Sequence, residues 1–280
     1  MSLTVLTVTR RPWNMAACCA TIDGQRGAGP LHHLIIADGL DHLTPPASAR
    51  HPDTIVHVPR GPHDRDGPAR LGHLRNLAVQ LAESETIVFL DDDNRWTPEH
   101  LASLLSTQRT TGAAFVHSAR RLFEPDGRPY LRQEFPWARD PAERRRIWRE
   151  YRRLGIVAPG SNVWRDRLPM PASCVDLGAW VLPRSFLLAH PFRTTFSRSD
   201  WEANVAEDHG LAEAILASRL PVVSTGQPTL HYWLGGYSNG FDRPASLQWE
   251  PEPTADVRRE SVIRIPKRGR SVTAGKMSTR

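Results

Sequence analysis

The stretch Thr86-Ile-Val-Phe-Leu-Asp91-Asp92-Asp93-Asn94 joins a short apolar run to three consecutive acids. The apolar part predicts a buried strand over residues 86–90, and the carboxylates follow without a break. In open α/β sheets, ligands bind at the carboxyl ends of the parallel strands. The stretch therefore predicts three like charges at a ligand-binding edge, where a cation is needed to neutralise them.

The segments on either side of this strand alternate between strand-like and helix-like patterns. Strands are predicted over residues 3–8, 31–37, 54–58 and 113–117, and helices over 12–22, over 71–81 and from about residue 97. This alternation predicts parallel βαβ units. The fold class that follows is α/β, with a Rossmann-like, mostly parallel central sheet and helices on both faces.

Two groups of acids are candidates for chemistry. Carboxylate oxygens such as those of the 91–93 run suit Mg²⁺ or Mn²⁺, which bind few protein ligands and complete their shell with water and substrate phosphates. An acidic turn capping the next helix is the alternative. Glu207 and Asp208 precede an amphipathic run over 209–216. They are either helix N-terminal acids favoured by the macrodipole or members of the site.

Length and composition fit one large α/β domain, or one domain with an appended lobe. The chain has 280 residues, 40% of them hydrophobic, and no apolar run approaches the roughly 20 residues of a membrane span. Its N-terminus enters a strand-like pattern and not a signal-peptide pattern, so we expect a cytoplasmic protein. Cys18, Cys19 and Cys174 form no C-x-x-C motif and predict reduced, buried thiols.

The basic residues are almost all arginines. The formal net charge is +6, and of the 36 basic residues only Lys267 and Lys276 are lysines. This bias is typical of a GC-rich coding background, so no nucleic-acid partner is expected, although guanidinium groups suit phosphate-bearing ligands. An arginine-dense helix is predicted over 140–154, as a solvated helix or as a contact with an acceptor or an acidic membrane. Peripheral membrane contact is therefore left open, and residues 251–280 predict a weakly ordered basic tail.

Several motifs in a fixed order resemble glycosyltransferase family 2, whose members have the GT-A fold. The resemblance runs from about residue 3 to residue 231 and depends on the order of the motifs more than on any single one. The motifs are Thr9-Arg10-Arg11-Pro12, Ile36-Ala-Asp38-Gly39, Gly72-His-Leu-Arg75-Asn76, the D-x-D-like Asp91-Asp92-Asp93, Val175-Asp176-Leu-Gly178-Ala179 and the E-D-like Glu207-Asp208.

The resemblance implies a metal-dependent glycosyltransferase. Such an enzyme moves a sugar from a nucleotide-diphosphate sugar, with a UDP-sugar preferred, to the hydroxyl of a carbohydrate, lipid-linked or small-molecule acceptor. Inversion is implied through the Glu207-Asp208 pair, and non-processive transfer because the Q-x-x-R-W motif of processive members is missing. The implied organisation is a GT-A domain over 1–250, with a nucleotide-sugar half over 1–112 and a smaller acceptor half over 113–250.

The family roles are carried over to individual residues. Asp38 and Arg75 would contact the nucleotide, Asp91 the ribose, and Asp208 would be the general base beside Glu207. A turn acid before Gly39, a surface arginine and a packed histidine are the simpler interpretations of Asp38, Arg75 and His231. The full assignment is Thr9, Arg11, Asp38, Arg75, Asp91, Asp92 and Asp176 for donor binding; Asp93, Asp91 and His231 for the metal; and Asp208 and Glu207 for catalysis.

Two other classes of protein share some of these features. A nucleotidyltransferase also places acids and Mg²⁺ on an α/β sheet, but the chain has no Gly-rich, Lys-bearing phosphate loop near its first strand. A non-enzymatic protein that binds RNA or an anionic membrane would leave the two acid groups without a purpose. The sequence favours the transferase.

Overall fold

The computed structural model describes residues 2–44, 54–61, 64, 67–138, 140–168, 175–203 and 205–236, and the backbone of 263–265. The strands are β1 Leu3–Thr9, β2 Leu31–Asp38, β3 Thr54–Val58, β4 Thr86–Phe89, β5 Arg95–Trp96, β6 Phe115–Phe123, β7 Val163–Trp164, β8 Trp180–Pro183, β9 Val222–Trp233 and β10 Ile263–Ile265. The helices are α1 Met15–Asp23, α2 Pro68–Leu81, α3 His100–Thr111, α4 Pro141–Arg153, α5 Arg184–Ala189, α6 Arg198–Glu202 and α7 His209–Ser218.

The first four strands form the parallel sheet that the sequence predicts. β3, β2, β1 and β4 lie side by side in that order, and Leu3 pairs with both Leu31 and Thr86. Most of their residues are buried, which explains the aliphatic run of β4, although β1 and β2 also bury polar residues such as Thr4, Thr7 and His33. The carboxyl ends of these strands meet at one edge of the sheet.

The sheet continues through strands of mixed direction. β8 is antiparallel to β4 and to β6, whereas β6 runs parallel to β9 along most of its length. β5 is antiparallel to β9, and β10 is antiparallel to β3. β6 extends to Phe123, beyond the predicted 113–117, because β9 pairs with it to that residue.

Helices cover both faces of the sheet, as predicted. One apolar core contains residues of α1 and α3, and the core on the opposite face contains residues of α2, α5 and α7. A third core packs α4 against the far ends of β6 and β9. The predicted apolar stripe of α4 is buried at Ile147, Trp148 and Tyr151.

The helix expected from about Thr97 begins only at His100. Residues 95 and 96 form β5 instead, and Trp96 pairs with Leu230 of β9. The Trp96 indole donates a hydrogen bond of 2.9 Å to the Gly178 carbonyl, and His100 stacks on the indole at 4.7 Å. Pairing with a strand far along the chain therefore competes with the local helix signal and delays the helix.

Other expectations are tested only in part. Cys18 and Cys19 are free and buried as predicted, whereas Cys174 lies outside the described residues. Of the predicted tail over 251–280, only residues 263–265 are described. No helix within the described ranges combines the length and the hydrophobicity that a bilayer crossing requires. The cytoplasmic location stays a prediction.

Candidate functional site

The acid run lies where β4 ends. Leu90 still donates a backbone hydrogen bond of 3.0 Å to Leu6 of β1, so the run begins one residue beyond the sheet ladder. Asn94 then closes a turn by donating to the Asp91 carbonyl at 3.0 Å, and its side chain accepts from the Trp233 backbone at 3.2 Å. The turn separates the three carboxylates, and each has its own surroundings.

Asp92 faces the N-terminal segment and is 2% exposed. The Thr9 hydroxyl donates to its carboxylate at 2.5 Å, Arg11 forms an ion pair with it, and Asn14 donates at 3.5 Å. The predicted donor residues Thr9, Arg11 and Asp92 are thus brought together by contacts with one another. Their contact with a nucleotide stays a prediction.

Asp93 is the member of the run that suits a cation. Its side chain is 24% exposed and lies 2.9 Å from Arg11. The pKa of Asp93 is raised from 3.8 to about 6, chiefly by burial, with Arg11 opposing the shift and repulsion from Asp91 and Asp92 adding to it. A Cβ atom added to Gly236 would lie 3.4 Å from the Asp93 carboxylate, so the chain after β9 passes directly over it.

The donor set fits one kind of metal site. Within the described ranges, no group of three or more His, Cys, Asp or Glu side chains is arranged to hold a metal ion. Mg²⁺ needs only one or two protein carboxylates when waters and substrate phosphates complete its shell. Asp93 and Asp91 therefore fit an ion that arrives with its substrate, and do not fit an all-protein cage.

Arg75 links the acid run to the second acid pair. Its guanidinium donates to Asp91 at 2.7 Å and forms a buried ion pair with Glu207, which is 132 residues away in the sequence. Arg75 is 4% exposed, and Asp208 also attracts it. The predicted arginine is thus a buried bridge between the two predicted acid groups, and the simpler interpretation of a surface arginine is wrong.

The local sequence around Arg75 explains how α2 reaches Glu207. A Cβ atom on Gly72 would overlap the carbonyl oxygen of Arg193 and approach the Glu207 Cβ at 3.3 Å. Asn76 exchanges two hydrogen bonds with the Phe192 backbone, at 2.9 and 2.8 Å. The small size of Gly72 and the two hydrogen bonds of the Asn76 side chain therefore hold the Glu207–Asp208 pair against α2.

Glu207 and Asp208 differ in their surroundings. Glu207 is buried with Arg75, and burial raises its pKa against the opposing attraction of that arginine. Asp208 is half-buried and stands at the start of α7, yet its side chain caps no backbone amide there. No group in the described part of the chain donates a hydrogen bond to the Asp208 carboxylate. Asp208 thus stands at the helix N-terminus, as the macrodipole interpretation expects, without a capping hydrogen bond. Its role in the reaction stays a prediction.

Asp176 belongs to the predicted acceptor half, and Asp91 and Asp208 both repel it. Its carboxylate accepts from the Gly178 backbone at 2.8 Å and lies 3.8 Å from Arg120. Burial raises the pKa of Asp176, and Arg120 opposes this shift. Arg120 itself is held by Asp166, at 2.8 Å.

Asp38 ends β2 at the same edge of the sheet. Arg70 of α2 donates to its carboxylate at 2.7 and 3.1 Å, and Arg60 lies 3.6 Å away. Gly39 follows with a φ of 66°, which allows the tight turn that the sequence predicts. Asp38 is therefore a paired acid at the predicted nucleotide end.

His231 packs among aromatic rings. Its ring lies 5.2 Å from Phe123 and 6.2 Å from Trp233, both in edge contacts. Burial lowers the pKa of His231, and Arg121 lowers it further. These contacts fit the simpler interpretation of a packed histidine, and its role as a metal ligand stays a prediction.

Sequence reasoning missed three residues that hold the site. Arg70 fixes Asp38, Arg120 faces Asp176, and Gly72 allows the close approach of the chain at Glu207. Only Gly72 carried a signal, because a glycine inside a helical pattern indicates close packing. The arginines are indistinguishable in sequence from the many others.

Comparison with known proteins agrees with these motifs. Residues 46–167 match the family described as Glycosyl transferase family 2, a segment that contains Arg75 and the whole acid run. The predicted resemblance to glycosyltransferase family 2 is confirmed. The match supports the prediction that the protein is a glycosyltransferase. No curated protein sequence matches the chain significantly.

Solved structures of S. aureus TarS 1-349 have a similar fold. The complex of that protein with UDP-GlcNAc has a TM-score of 0.51 and 11% identity, over 89% of this chain and 62% of that one. Its complex with UDP has a TM-score of 0.49 and 12% identity, over 84% of this chain and 61% of that one. The chain spans about three fifths of the length of these structures. The predicted fold class, a GT-A-type α/β fold, is confirmed.

Proposed function

We propose that this protein transfers a sugar from a nucleotide-diphosphate sugar to an acceptor hydroxyl, with Mn²⁺ or Mg²⁺ and with inversion at the anomeric carbon. Transfer is non-processive. The observation that carries the proposal is the half-buried Asp208 carboxylate, to which no described residue donates a hydrogen bond, beside the network in which Arg75 joins Asp91 to Glu207. A carboxylate in this state can accept a proton.

The donor binds at the carboxyl ends of β1, β2 and β4. Asp38 lies at the nucleotide end, and Asp91 and Asp93 lie at the diphosphate end. When bound through Asp93 and the substrate phosphates, the metal offsets the charge that develops on the leaving diphosphate. Arg11, already in contact with Asp93, adds a second positive charge at that point.

The acceptor hydroxyl enters from the side of Asp208. Its oxygen attacks the anomeric carbon while the bond from that carbon to the diphosphate oxygen breaks, and the hydroxyl proton passes to Asp208. The bonding electrons leave with the nucleoside diphosphate. Attack from the face opposite the leaving group inverts the configuration.

Arg75 and Glu207 orient the base and do not react. Glu207 is satisfied by the buried guanidinium, which fixes the start of α7 relative to Asp91. Arg75 therefore helps to set the distance between the donor end and the base, together with the close packing at Gly72 and Asn76. Fixed geometry of this kind contributes to rate by holding reacting groups in place.

UDP-sugars are the first donors to test, because the TarS complex with UDP-GlcNAc has a similar fold. The test measures the thermal stability of the protein with UDP-, GDP- and dTDP-sugars, with and without Mn²⁺. A donor present at about 100 times its Kd raises stability by about 2.7 kcal/mol, or about 5 °C for a chain of this size. We expect such a shift with one donor class, and only with the metal.

The matched variants are Asp93→Ala and Asp126→Ala. Asp126 is an exposed acid paired only with Arg128, so its loss should leave the shift unchanged. Asp93→Ala should abolish it. If no nucleotide sugar raises the melting temperature of the protein, with or without Mn²⁺, the proposed function is wrong. A shift that persists in Asp93→Ala would overturn the metal assignment alone.

A further inference from the structure

Five exposed arginines converge at the C-terminal end of α4. Three lie on the helix, and two lie on the segment that runs beside it: Arg165 donates a backbone hydrogen bond of 2.9 Å to Ile156, and the Arg167 guanidinium contacts the Leu154 carbonyl. We call this group the cationic ridge. It consists of Arg149, Arg152, Arg153, Arg165 and Arg167.

The acids of this lobe are engaged elsewhere. Glu143 and Glu150 lie 3.7 and 3.6 Å from Arg146, and Glu134 lies 3.3 Å from Arg144. Asp166 is buried against Arg120. Within the described ranges, no carboxylate lies within ion-pair distance of a ridge arginine. The ridge therefore presents five positive charges that the neighbouring acids do not neutralise.

Helix electrostatics explain only part of the ridge. Cations in the last turn of a helix interact favourably with its dipole, which accounts for Arg152 and Arg153. The effect also accounts for Arg167, whose guanidinium contacts the carbonyl of Leu154, the residue that caps α4. It does not account for Arg149, which precedes the last turn, or for Arg165, which belongs to the neighbouring segment. A surface that serves only solubility has both signs of charge interspersed. A cluster of one sign drawn from two segments instead indicates an anionic partner.

The shape and chemistry of the ridge restrict that partner. The apolar stripe of α4 is already buried at Ile147, Trp148 and Tyr151, so contact is electrostatic and involves no insertion of the helix. The helix is about 20 Å long, and its exposed side is a convex ridge without aromatic rings on which bases could stack. Guanidinium groups match phosphate oxygens. We propose that the cationic ridge docks the protein on a bilayer surface rich in anionic phospholipid headgroups.

The test is sedimentation of the full chain with vesicles. Vesicles of phosphatidylcholine alone are compared with vesicles of phosphatidylcholine and phosphatidylglycerol, at low and at physiological salt. Each basic residue near such a surface strengthens binding roughly fivefold. The triple variant Arg149→Gln, Arg152→Gln, Arg153→Gln should therefore bind the anionic vesicles roughly a hundredfold more weakly.

A control variant removes the same charge elsewhere. Arg26→Gln, Arg109→Gln, Arg128→Gln takes three exposed arginines from outside α4 and should keep most of the binding. Binding should also weaken with salt, because exposed charges are screened within about 10 Å. All six positions are exposed, so both variants should melt like the parent protein.

Three results would overturn the proposal. The first is an absence of binding to the anionic vesicles at low salt. The second is an equal loss of binding in the ridge and control variants, which would indicate net charge and not the ridge. The third is ridge-dependent binding to a soluble polyanion such as duplex RNA without binding to vesicles. None of these results depends on sugar transfer, so the donor-stabilisation test is judged separately.

Discussion

Two buried arginines in this molecule have different electrostatic surroundings. Arg75 is attracted by Glu207, Asp91 and Asp208, so three carboxylates surround one guanidinium. Arg120 is 2% exposed, pairs with Asp166 at 2.8 Å and lies between the rings of Trp137 and Tyr232, at 4.4 and 5.4 Å. A second acid, Asp176, lies 3.8 Å away.

The difference singles out the carboxyl edge of the sheet as the candidate functional site. Around Arg120, acids at 2.8 and 3.8 Å are joined by two aromatic rings that face the cation. Around Arg75, three acids act on one arginine, and they belong to the two acid groups at the carboxyl edge of the sheet. Perturbed and unbalanced groups of this kind cluster at functional sites.

The largest expected effect comes from removing each arginine in turn. Arg75→Met and Arg120→Met should each lower the free energy of unfolding by about 3–5 kcal/mol, because each leaves a buried carboxylate unpaired. Arg75→Met with Glu207→Gln, and Arg120→Met with Asp166→Asn, should each recover much of that loss. Thermal and denaturant unfolding measure both pairs.

Turnover distinguishes the two double variants. The Arg120→Met, Asp166→Asn double variant should keep most of the sugar-transfer rate. The Arg75→Met, Glu207→Gln double variant should be folded but inactive. Full activity of the second variant would mean that both arginines contribute only to stability. Inactivity of the first would mean that Asp176 needs Arg120 for its role.

Asp208 should separate activity from stability. Asp208→Asn removes the proton acceptor without changing the buried network, so kcat should fall about 10²- to 10⁴-fold while the melting temperature stays the same. Glu207→Gln, at the neighbouring position, should instead lower stability, because it removes the charge that pairs with Arg75. Equal losses of rate in both variants, with no change in stability, would contradict the division of roles.

Gly72 tests the packing that brings Arg75 to Glu207. Gly72→Ala places a methyl group on the Arg193 carbonyl, and we expect a loss of about 1–3 kcal/mol of stability together with reduced turnover. Gly210→Ala is the matched control, because nothing lies within 4 Å of a Cβ atom on that helical glycine. It should be neutral or slightly stabilising. If Gly72→Ala were equally neutral, the close approach at Glu207 would not matter.

The parallel half of the fold could be predicted because its signals are local. Strands buried on both faces are rich in aliphatic and β-branched residues, and turn residues or acids mark their ends, as in the 86–94 stretch. β5 could not be predicted, since its two residues form a strand only by pairing with β9. The same pairing explains why α3 begins at His100 and not near Thr97.

The acids of the candidate site and three of their partners, Thr9, Arg11 and Arg75, could be predicted, but Arg70 and Arg120 could not. Acids at the ends of apolar runs are conspicuous in a sequence, and Arg75 lies in a motif of the family, whereas Arg70 and Arg120 have no local signal. Arg75 meets Glu207 across 132 residues of sequence. Which arginine neutralises which acid depends on the approach of distant segments, and no spacing within the sequence encodes that approach.

Buried groups at the site and in the core should respond to acid in opposite directions. Burial lowers the pKa of His100 to about 3 and that of His117 to about 4, from 6.5. Between pH 6.5 and pH 4 these two histidines are therefore protonated in the unfolded chain but stay neutral in the folded chain. Their contribution makes the free energy of unfolding fall as pH falls. Asp93 has its pKa raised from 3.8 to about 6, so the folded state binds its proton first, and this contribution to stability rises as pH falls.

Melting curves from pH 8 to pH 4 measure both contributions. His117→Gln should make the melting temperature fall less steeply as pH is lowered, and Asp93→Asn should make it fall more steeply. With a nucleotide sugar and Mn²⁺ present, the stabilisation should weaken below about pH 6, because the proton on Asp93 competes with the metal. If the stabilisation by nucleotide sugar and Mn²⁺ does not change with pH in this range, Asp93 does not hold the metal. The prediction that the two histidines lower stability in acid would not be affected.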